Sequence, residues 1–375
     1  MNFSRLNRDG SDFCGRILLL GNGSSIHLVR LANGLAACGF DVHLASQHGF
    51  LTSLDPAVEQ HAAPHRGGAG YFLNVAWFRR LARAIEADIV NAHYAGGYGT
   101  MAALSRVRPL VITAWGSDVL TTPWSSWLKR ILVRGNLLFA DRVVVMAEGM
   151  REAVRKLTGG DAWIIPFGVE TDAFRPQPAG RAWAFPADAF VVGICKALEP
   201  VYRQDVAIRA VDILRRERPD LNVFLAIVGE GGEAARLRAL IEELSLQDSV
   251  LMAGPREHSE LPAFYNAISA YAVTSESEGL CVSALEAAAC GKPVISTPVG
   301  AMGKLAEAGA MGLSIDVGDA NGLAQAIARL ADHPDEAARY GQAGIEQVRA
   351  HYDWEVTIRK TVDLFEGVLR VRQRD

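Results

Sequence analysis

Short apolar runs alternate with amphipathic stretches along most of the 375-residue chain. In the first half the runs are RILLL (16–20), DVHLAS (41–46), DIVNAH (88–93), LVITAW (110–115) and DRVVVM (141–146), each followed by a helix or a loop leading to one. After the first run, apolar residues at Ile26, Leu28, Val29, Leu31, Leu35 and Ala36 fall close to helical spacing, and Gly39 supplies the stop. Strand-sized runs separated by helices predict βα units and hence parallel sheets.

The alternation is interrupted by RPQPAGRAWAFPAD (175–188), rich in proline and glycine, and restarts with FVVGIC (190–195). Such a segment predicts a domain boundary. Beyond it, NVFLAIVG (222–229), VLMAG (250–254), AYAVTS (270–275), PVIST (293–297) and GLSID (312–316) read as strands, and 351–371 reads as a helix. The expected fold class is α/β, with two Rossmann-like doubly wound domains over 1–176 and 177–350 and a C-terminal helical segment over 351–375. Ligands of such sheets bind beyond the carboxyl ends of the strands.

Length and composition agree with two soluble domains: half of the residues are apolar and 21% are charged. The longest apolar stretches are strand-sized, far short of a membrane span. The first fifteen residues carry Arg5, Arg8, Asp9 and Asp12 without an apolar core, so no signal peptide is read and a cytoplasmic location is expected. Cys14, Cys38, Cys195, Cys281 and Cys290 form a scattered, odd set without a CxxC pair, which argues against a disulfide framework and a zinc site. Through Arg175 there are 18 basic and 14 acidic residues; the remainder has 20 and 28. A basic first half tolerates an anionic partner, and scattered solvated charge accounts for the count equally well.

Two loops carry candidate chemistry. GNGSS (21–25) follows the first strand and opens a helix, where backbone N–H groups can receive an anion. It is not a dinucleotide fingerprint, because Ile26 stands where a third glycine is needed and Ser46 ends the second strand without an acid. A tight turn that needs glycine explains it as well as ligand approach does. The second loop is SESEGLCVSALEAAACGKP (275–293), in which Glu278 and Glu286 are separated by seven residues. With a helix starting near Gly279, the carboxylates lie about 12 Å apart along its axis, one at a helix mouth that favours a diphosphate. For two isolated glutamates, a first-turn helix stabiliser and a solvent-facing residue would be the plainer reading.

The surrounding motifs change that balance. The segment resembles the E-x7-E region of retaining glycosyltransferases of the GT-B fold, specifically family four of bacterial sugar transferases. IIPFGVETDAFRP (164–176), VGEGGE (228–233) and TAWGSDV (113–119) resemble that family's interdomain motif, nucleotide-facing turn and acceptor-side loop, in the expected order over nearly the whole chain. The resemblance implies two domains facing each other across a cleft, with the C-terminal helix crossing back to the first. It implies that Glu278 contacts the transferred sugar, that Glu286 holds the ribose, and that the amides around Gly279, Leu280 and Cys281 face the diphosphate. Gly229 and Glu230 then belong to the donor site, and Lys196 is the first member of the basic pair that neutralises the leaving group. Gly21, Gly23, Ser24 and Trp115 fall on acceptor-side loops, where Asp118 and His93 are further catalytic candidates. A lone histidine at a strand end is more often simply hydrogen-bonded, and Asp118 equally suits a turn cap.

The chain departs from the family pattern at three places. Val201 stands where a second lysine is usual; Arg203 either replaces it, since guanidinium binds phosphate bidentately, or merely begins a surface helix. Trp115 stands where many relatives have histidine, and its single N–H cannot do acid–base work. Lys304 lies near a position often held by glutamate.

The implied reaction moves a hexose or N-acetylhexosamine from a nucleotide-diphosphate sugar, with a UDP-sugar favoured and no resident cofactor, to a saccharide or lipid-linked acceptor in surface-polysaccharide assembly. With no D-x-D motif on a suitable loop, metal independence is expected. TTPWSSWLKRILVRGNLLF (121–139) suits a helix in peripheral contact with an anionic membrane on its inner face, and an ordinary packed helix with a basic outer face suits it at least as well. No basic stripe interleaved with aromatics appears in the second half, so nucleic acid is not an expected partner. A sugar-nucleotide epimerase of the same architecture and a non-catalytic nucleotide-sugar-binding protein remain open alternatives.

Overall fold

The computed structural model describes residues 15–178, 183, 185–186, 188–307 and 309–372. Arg5, Arg8, Asp9, Asp12 and Cys14 lie outside the described residues, as do 179–182, 184 and 187 of the boundary segment. The chain divides into two compact units, one running to Phe167 and resuming at Glu355, the other Gly168–Trp354. The division thus falls before the proline-rich segment at 175–188.

The first unit is built on seven strands: β1 (Arg16–Leu20), β2 (Asp41–Ser46), β3 (Glu59–Ala62), β4 (Ile89–His93), β5 (Leu110–Thr113), β6 (Arg142–Val145) and β7 (Trp163–Ile164). Their order is β3-β2-β1-β4-β5-β6-β7, and every pairing is parallel. The second unit has β8 (Phe190–Cys195), β9 (Val223–Val228), β10 (Val250–Gly254), β11 (Ala270–Val273), β12 (Val294–Ser296) and β13 (Gly312–Ser314), in the order β10-β9-β8-β11-β12-β13, again all parallel. Each sheet therefore reverses its winding direction once, between β1 and β4 and between β8 and β11. Two doubly wound α/β units are present, as the alternation of apolar runs implies.

The eleven apolar runs all become strands, because helices cover the sheets and bury the central strands. Leu18, Leu19 and Leu20 are fully buried, as are Leu225 and Ala226, and each fully buried leucine contributes about 1.5–3 kcal/mol. Two strands carry no such signal. In β3 the sequence is EQHA, mostly exposed, and it forms only as an edge added to β2. The strand β7 is two residues long and pairs with β6 alone.

The last helix begins at Trp354 rather than 351, since His351 still closes the preceding helix Pro334–His351. It packs into the first unit: Thr357 Oγ1 donates to Pro166 O at 2.8 Å, and Leu364 and Phe365 line a small cavity with Leu31 and His93. Among the described residues no helix is long and apolar enough to cross a membrane.

Close backbone approach fixes the register at the edge of the second sheet. A Cβ at Gly312 would sit 1.7 Å from Val294 O, the backbone of its partner strand. Gly312→Ala is expected to destabilise the second unit by about 1–3 kcal/mol, the usual cost of overpacking, read as a lowered urea midpoint.

Candidate active site

The reversal of winding in the second sheet sets β8 beside β11, and the loops after these two strands carry the charged residues. Lys196 follows β8 directly, and 274–278 follow β11. Lys196 Nζ lies 2.7 Å from Glu278 Oε1, with 18% and 8% of the two side chains exposed. Ser275 Oγ donates to the same carboxylate oxygen at 2.9 Å, and the ammonium lies 4.8 Å from the centre of the Tyr202 ring. Burial disfavours the ammonium, but the Glu278 carboxylate in contact with it outweighs that cost, so Lys196 titrates above an ordinary lysine.

Neighbouring backbone holds this pair in place. Gly229, at φ +141°, brings its chain so close that a Cβ would fall 1.8 Å from Lys196 O. Glu230 contributes its carbonyl, which accepts from Leu198 N at 2.8 Å. On the other side, a Cβ on Gly300 would meet the carbonyls of Glu278 and Gly279 at 2.9 Å. Arg203 does not stand free: its guanidinium binds Asp205 (3.1 Å) and Glu276 (2.6 Å). It therefore bridges the two loops, together with Glu276 N donating to Val201 O and Thr274 Oγ1 donating to Tyr202 O.

The helix carrying Glu286 spans Val282–Ala289, three residues later than a start at Gly279. Cys281 is the reason: its backbone is left-handed, φ +59°, which is incompatible with a helical turn. Gly279, Leu280 and Cys281 thus form the approach to the helix, Leu280 and Cys281 are buried, and no side chain caps the first turn. Burial pushes the Cys281 thiol up, so it is neutral at physiological pH.

Glu286 is not a solvent-facing helix residue. Only 4% of it is exposed; Oε2 accepts from Tyr265 OH at 2.8 Å and Oε1 lies 3.0 Å from His258 Nε2. Phe174 packs against both His258 and Tyr265. His258 and Tyr265 were not expected from the sequence. The turn that presents His258 was legible as a reciprocal cap, with Glu257 and Glu260 three residues apart, but nothing in the spacing links it to Glu286.

In the first unit the reversal of winding lies between β1 and β4. Gly21 and Gly23, after β1, are glycines because protein atoms crowd them: a Cβ would meet Leu28 Cδ2 at 2.4 Å or Phe50 Cδ1 at 2.6 Å. Ser24 is exposed, its amide donating to Asn22 Oδ1. His93 ends β4 and is fully buried, and Trp115 Nε1 donates to its Nδ1 at 3.2 Å. That bond leaves the ring proton on Nε2, which is itself buried without a partner. Burial drags the imidazole down to about 3, so it is uncharged at neutral pH. Asp118 is also buried, and it accepts backbone N–H groups of Ala95 (2.7 Å), Trp115 (3.0 Å) and Gly116 (2.9 Å). Burial raises its carboxyl and the three amides oppose that rise. From the first turn of the short helix Ser117–Leu120 it ties the loop after β5 to the loop after β4, and the cap position itself falls to Gly116.

Charge at the reversal of winding beside an uncapped helix start is the arrangement of α/β proteins that bind phosphorylated ligands. Residues 180–347 match the family model "Glycosyl transferases group 1", and 16–147 match "Glycosyl transferase 4-like". A D-inositol 3-phosphate glycosyltransferase of Thermobispora bispora is 32% identical over 92% of this chain and 90% of its own. A GDP-mannose-dependent alpha-(1-6)-phosphatidylinositol monomannoside mannosyltransferase of Mycolicibacterium smegmatis is 29% identical over 73% and 74%. Among solved structures, sucrose-phosphate synthase of Thermosynechococcus elongatus shares the fold at TM-score 0.85 and 21% identity, covering 95% of this chain and all of the other. Anabaena HepE in complex with UDP-glucose does so at TM-score 0.79 and 20% identity, covering 94% and 99%. The chain belongs to the GT-B glycosyltransferase family that these two models describe.

The buried neutral histidine has a measurable signature. In the unfolded chain His93 takes up a proton near pH 6.5, whereas in the fold it stays neutral down to about 3. Its contribution to stability is therefore complete above about pH 6.5 and is lost as pH falls toward 3, at about 1.4 kcal/mol per unit. His93→Gln is expected to flatten this acid limb in urea unfolding measured between pH 4.5 and 7.5.

Proposed function

We propose that the protein is a retaining hexosyltransferase that moves a hexose or N-acetylhexosamine from a nucleotide-diphosphate sugar to a saccharide or lipid-linked acceptor, without a metal ion. UDP is the favoured nucleotide and assembly of a cell-surface polysaccharide the favoured setting. The observation that carries the reading is the buried Lys196–Glu278 pair beside the uncapped start of the helix Val282–Ala289.

Breaking the anomeric C–O bond builds negative charge on the departing diphosphate. Lys196, held charged by its surroundings, and the first amides of the helix stabilise that charge where it develops. Glu278 retains acceptor capacity for sugar hydroxyls, because a carboxylate offers about four lone-pair sites. Glu286, oriented by Tyr265 and His258, offers the same to ribose hydroxyls. Arg203 supports the site through Asp205 and Glu276 and shapes the loops rather than presenting a free cation. His93 and Asp118 serve by positioning the acceptor-side loops. Retention rests on the family resemblance.

The names of relatives bear on the substrates. One uses GDP-mannose and a phosphatidylinositol mannoside, another acts on inositol 3-phosphate, and the Anabaena structure contains UDP-glucose. A lipid-linked acceptor also fits the helix Trp127–Phe139, where Trp127 is 70% exposed and Leu128 and Ile131 are exposed with it, beside exposed Lys129 and Arg130. The helix packs through Val133, Asn136 and Leu137 and turns these apolar side chains to solvent. We place the protein in the cytoplasm, peripheral on the inner face of the membrane.

Two measurements test this reading. UDP-, GDP- and ADP-hexoses are offered with saccharide and inositol-phosphate acceptors, and release of nucleoside diphosphate is followed. Lys196→Ala is expected to lower kcat by about 10²–10³, the loss typical of a transition-state charge partner, and Glu286→Ala to weaken donor binding. Sugar inversion with the nucleotide retained would reveal an epimerase, and tight donor binding without turnover a non-catalytic binder. For the surface helix, replacing Trp127 and Ile131 with serine is expected to reduce co-sedimentation with vesicles containing anionic phospholipid.

A further inference from the structure

The edge of the first sheet carries a cluster unrelated to glycosyl transfer. His43 lies on β2 directly opposite Glu59 on β3, and Ala45 opposite His61. Because strand side chains alternate between faces, Glu59 and His61 on β3 share one face, as do Asp41 and His43 on β2. The four side chains converge there. His43 Nδ1 lies 3.0 Å from His61 Nε2 and 3.3 Å from a Glu59 carboxylate oxygen, and the other Glu59 oxygen is 3.7 Å from His61 Nε2. One donor atom from each of the three residues falls within 4.8 Å of the others.

From this geometry we infer a site for a divalent transition-metal ion of the zinc class, held by His43 Nδ1, His61 Nε2 and Glu59. Two imidazole nitrogens bound at about 2.0–2.1 Å to a tetrahedral ion stand about 3.3 Å apart, within a few tenths of their separation here. Two nitrogens and a carboxylate are donors that suit zinc and its neighbours and disfavour magnesium or calcium. The partner behind the first ligand is also present. His43 is buried and its Nε2, which makes no hydrogen bond, lies 3.4 Å from Asp41 Oδ1, the carboxylate nearest to hand for the carboxylate–histidine–metal relay that orients such ligands. The second oxygen of Asp41 faces Arg16 Nε at 3.5 Å, which holds that carboxylate in place. Three protein ligands leave a coordination position open on the exposed side.

The ion would fasten β3, a four-residue polar edge strand with little apolar side chain to bury, to β2. The cluster sits toward the amino end of β2, whereas the loops of the candidate active site follow the carboxyl ends of their strands. This site is independent of the proposed reaction.

The test uses the full chain without a histidine tag, titrated with Zn²⁺ against a chromophoric chelator and with Co²⁺ by its visible absorption. One equivalent is expected to bind and to raise Tm. His61→Gln, at a partly exposed position where folding is retained, is expected to weaken binding at least tenfold and abolish the Tm shift. Asp41→Asn is expected to cost 10–100-fold, the usual effect of losing such a partner. Absence of stoichiometric binding, or binding unchanged in His61→Gln, would overturn the proposal and leave two hydrogen-bonded imidazoles.

Discussion

Lys196 and Glu278 lie in contact with little solvent around them, and each is tolerated there only because the other is present. Removing a charge from water costs several kcal/mol, and the mutual attraction offsets that cost only when geometry and additional hydrogen bonds are good. The surrounding structure meets this condition. Ser275 donates to the carboxylate, Tyr202 presents its ring to the ammonium, and the 228–233 turn approaches Lys196 so closely that Gly229 has no room for a side chain. The pair depends in turn on topology, since only the reversal of strand order brings the end of β8 beside the end of β11.

Around that pair the second unit is rigid by construction. Arg203 and Glu276 join the two loops, Gly300 packs against the carbonyls of Glu278 and Gly279, and Glu286 is fixed by a tyrosine and a histidine that aromatic packing fixes in turn. Rigid placement of charge partners is the means by which a protein stabilises developing charge without reorganising during the reaction. Arg203 lies two residues after Val201, the position at which the family resemblance implies a second lysine. Its guanidinium is already matched by two carboxylates, so it organises the loops more than it offers charge.

The first unit uses its reversal of winding in another way. Its polar residues at the strand ends are turned inward: His93 is neutral and accepts from Trp115, and Asp118 accepts from three amides. Trp115 uses its single N–H on His93. The buried Lys196–Glu278 pair thus belongs to the second unit, while the first carries tightly packed loops, an exposed aromatic and basic helix, and a polar edge.

Periodicity alone determined the two α/β units, eleven of the thirteen strands and the loops where charge gathers, because buried parallel strands must be apolar and their connecting helices amphipathic. The family motifs marked Lys196, Glu278 and Glu286. What the sequence did not carry was contact across distance. Strands β3 and β7 exist only because a neighbouring strand offers its edge, and the late helix start comes from the left-handed Cys281. The His258–Tyr265 support of Glu286 and the His43–Glu59–His61 cluster join residues 16 to 28 positions apart. Burial decided the rest: it neutralised His93, turned Asp118 toward backbone amides and left Trp127 in solvent. Burial is a property of the packed sheet and its covering helices, and local sequence does not encode it.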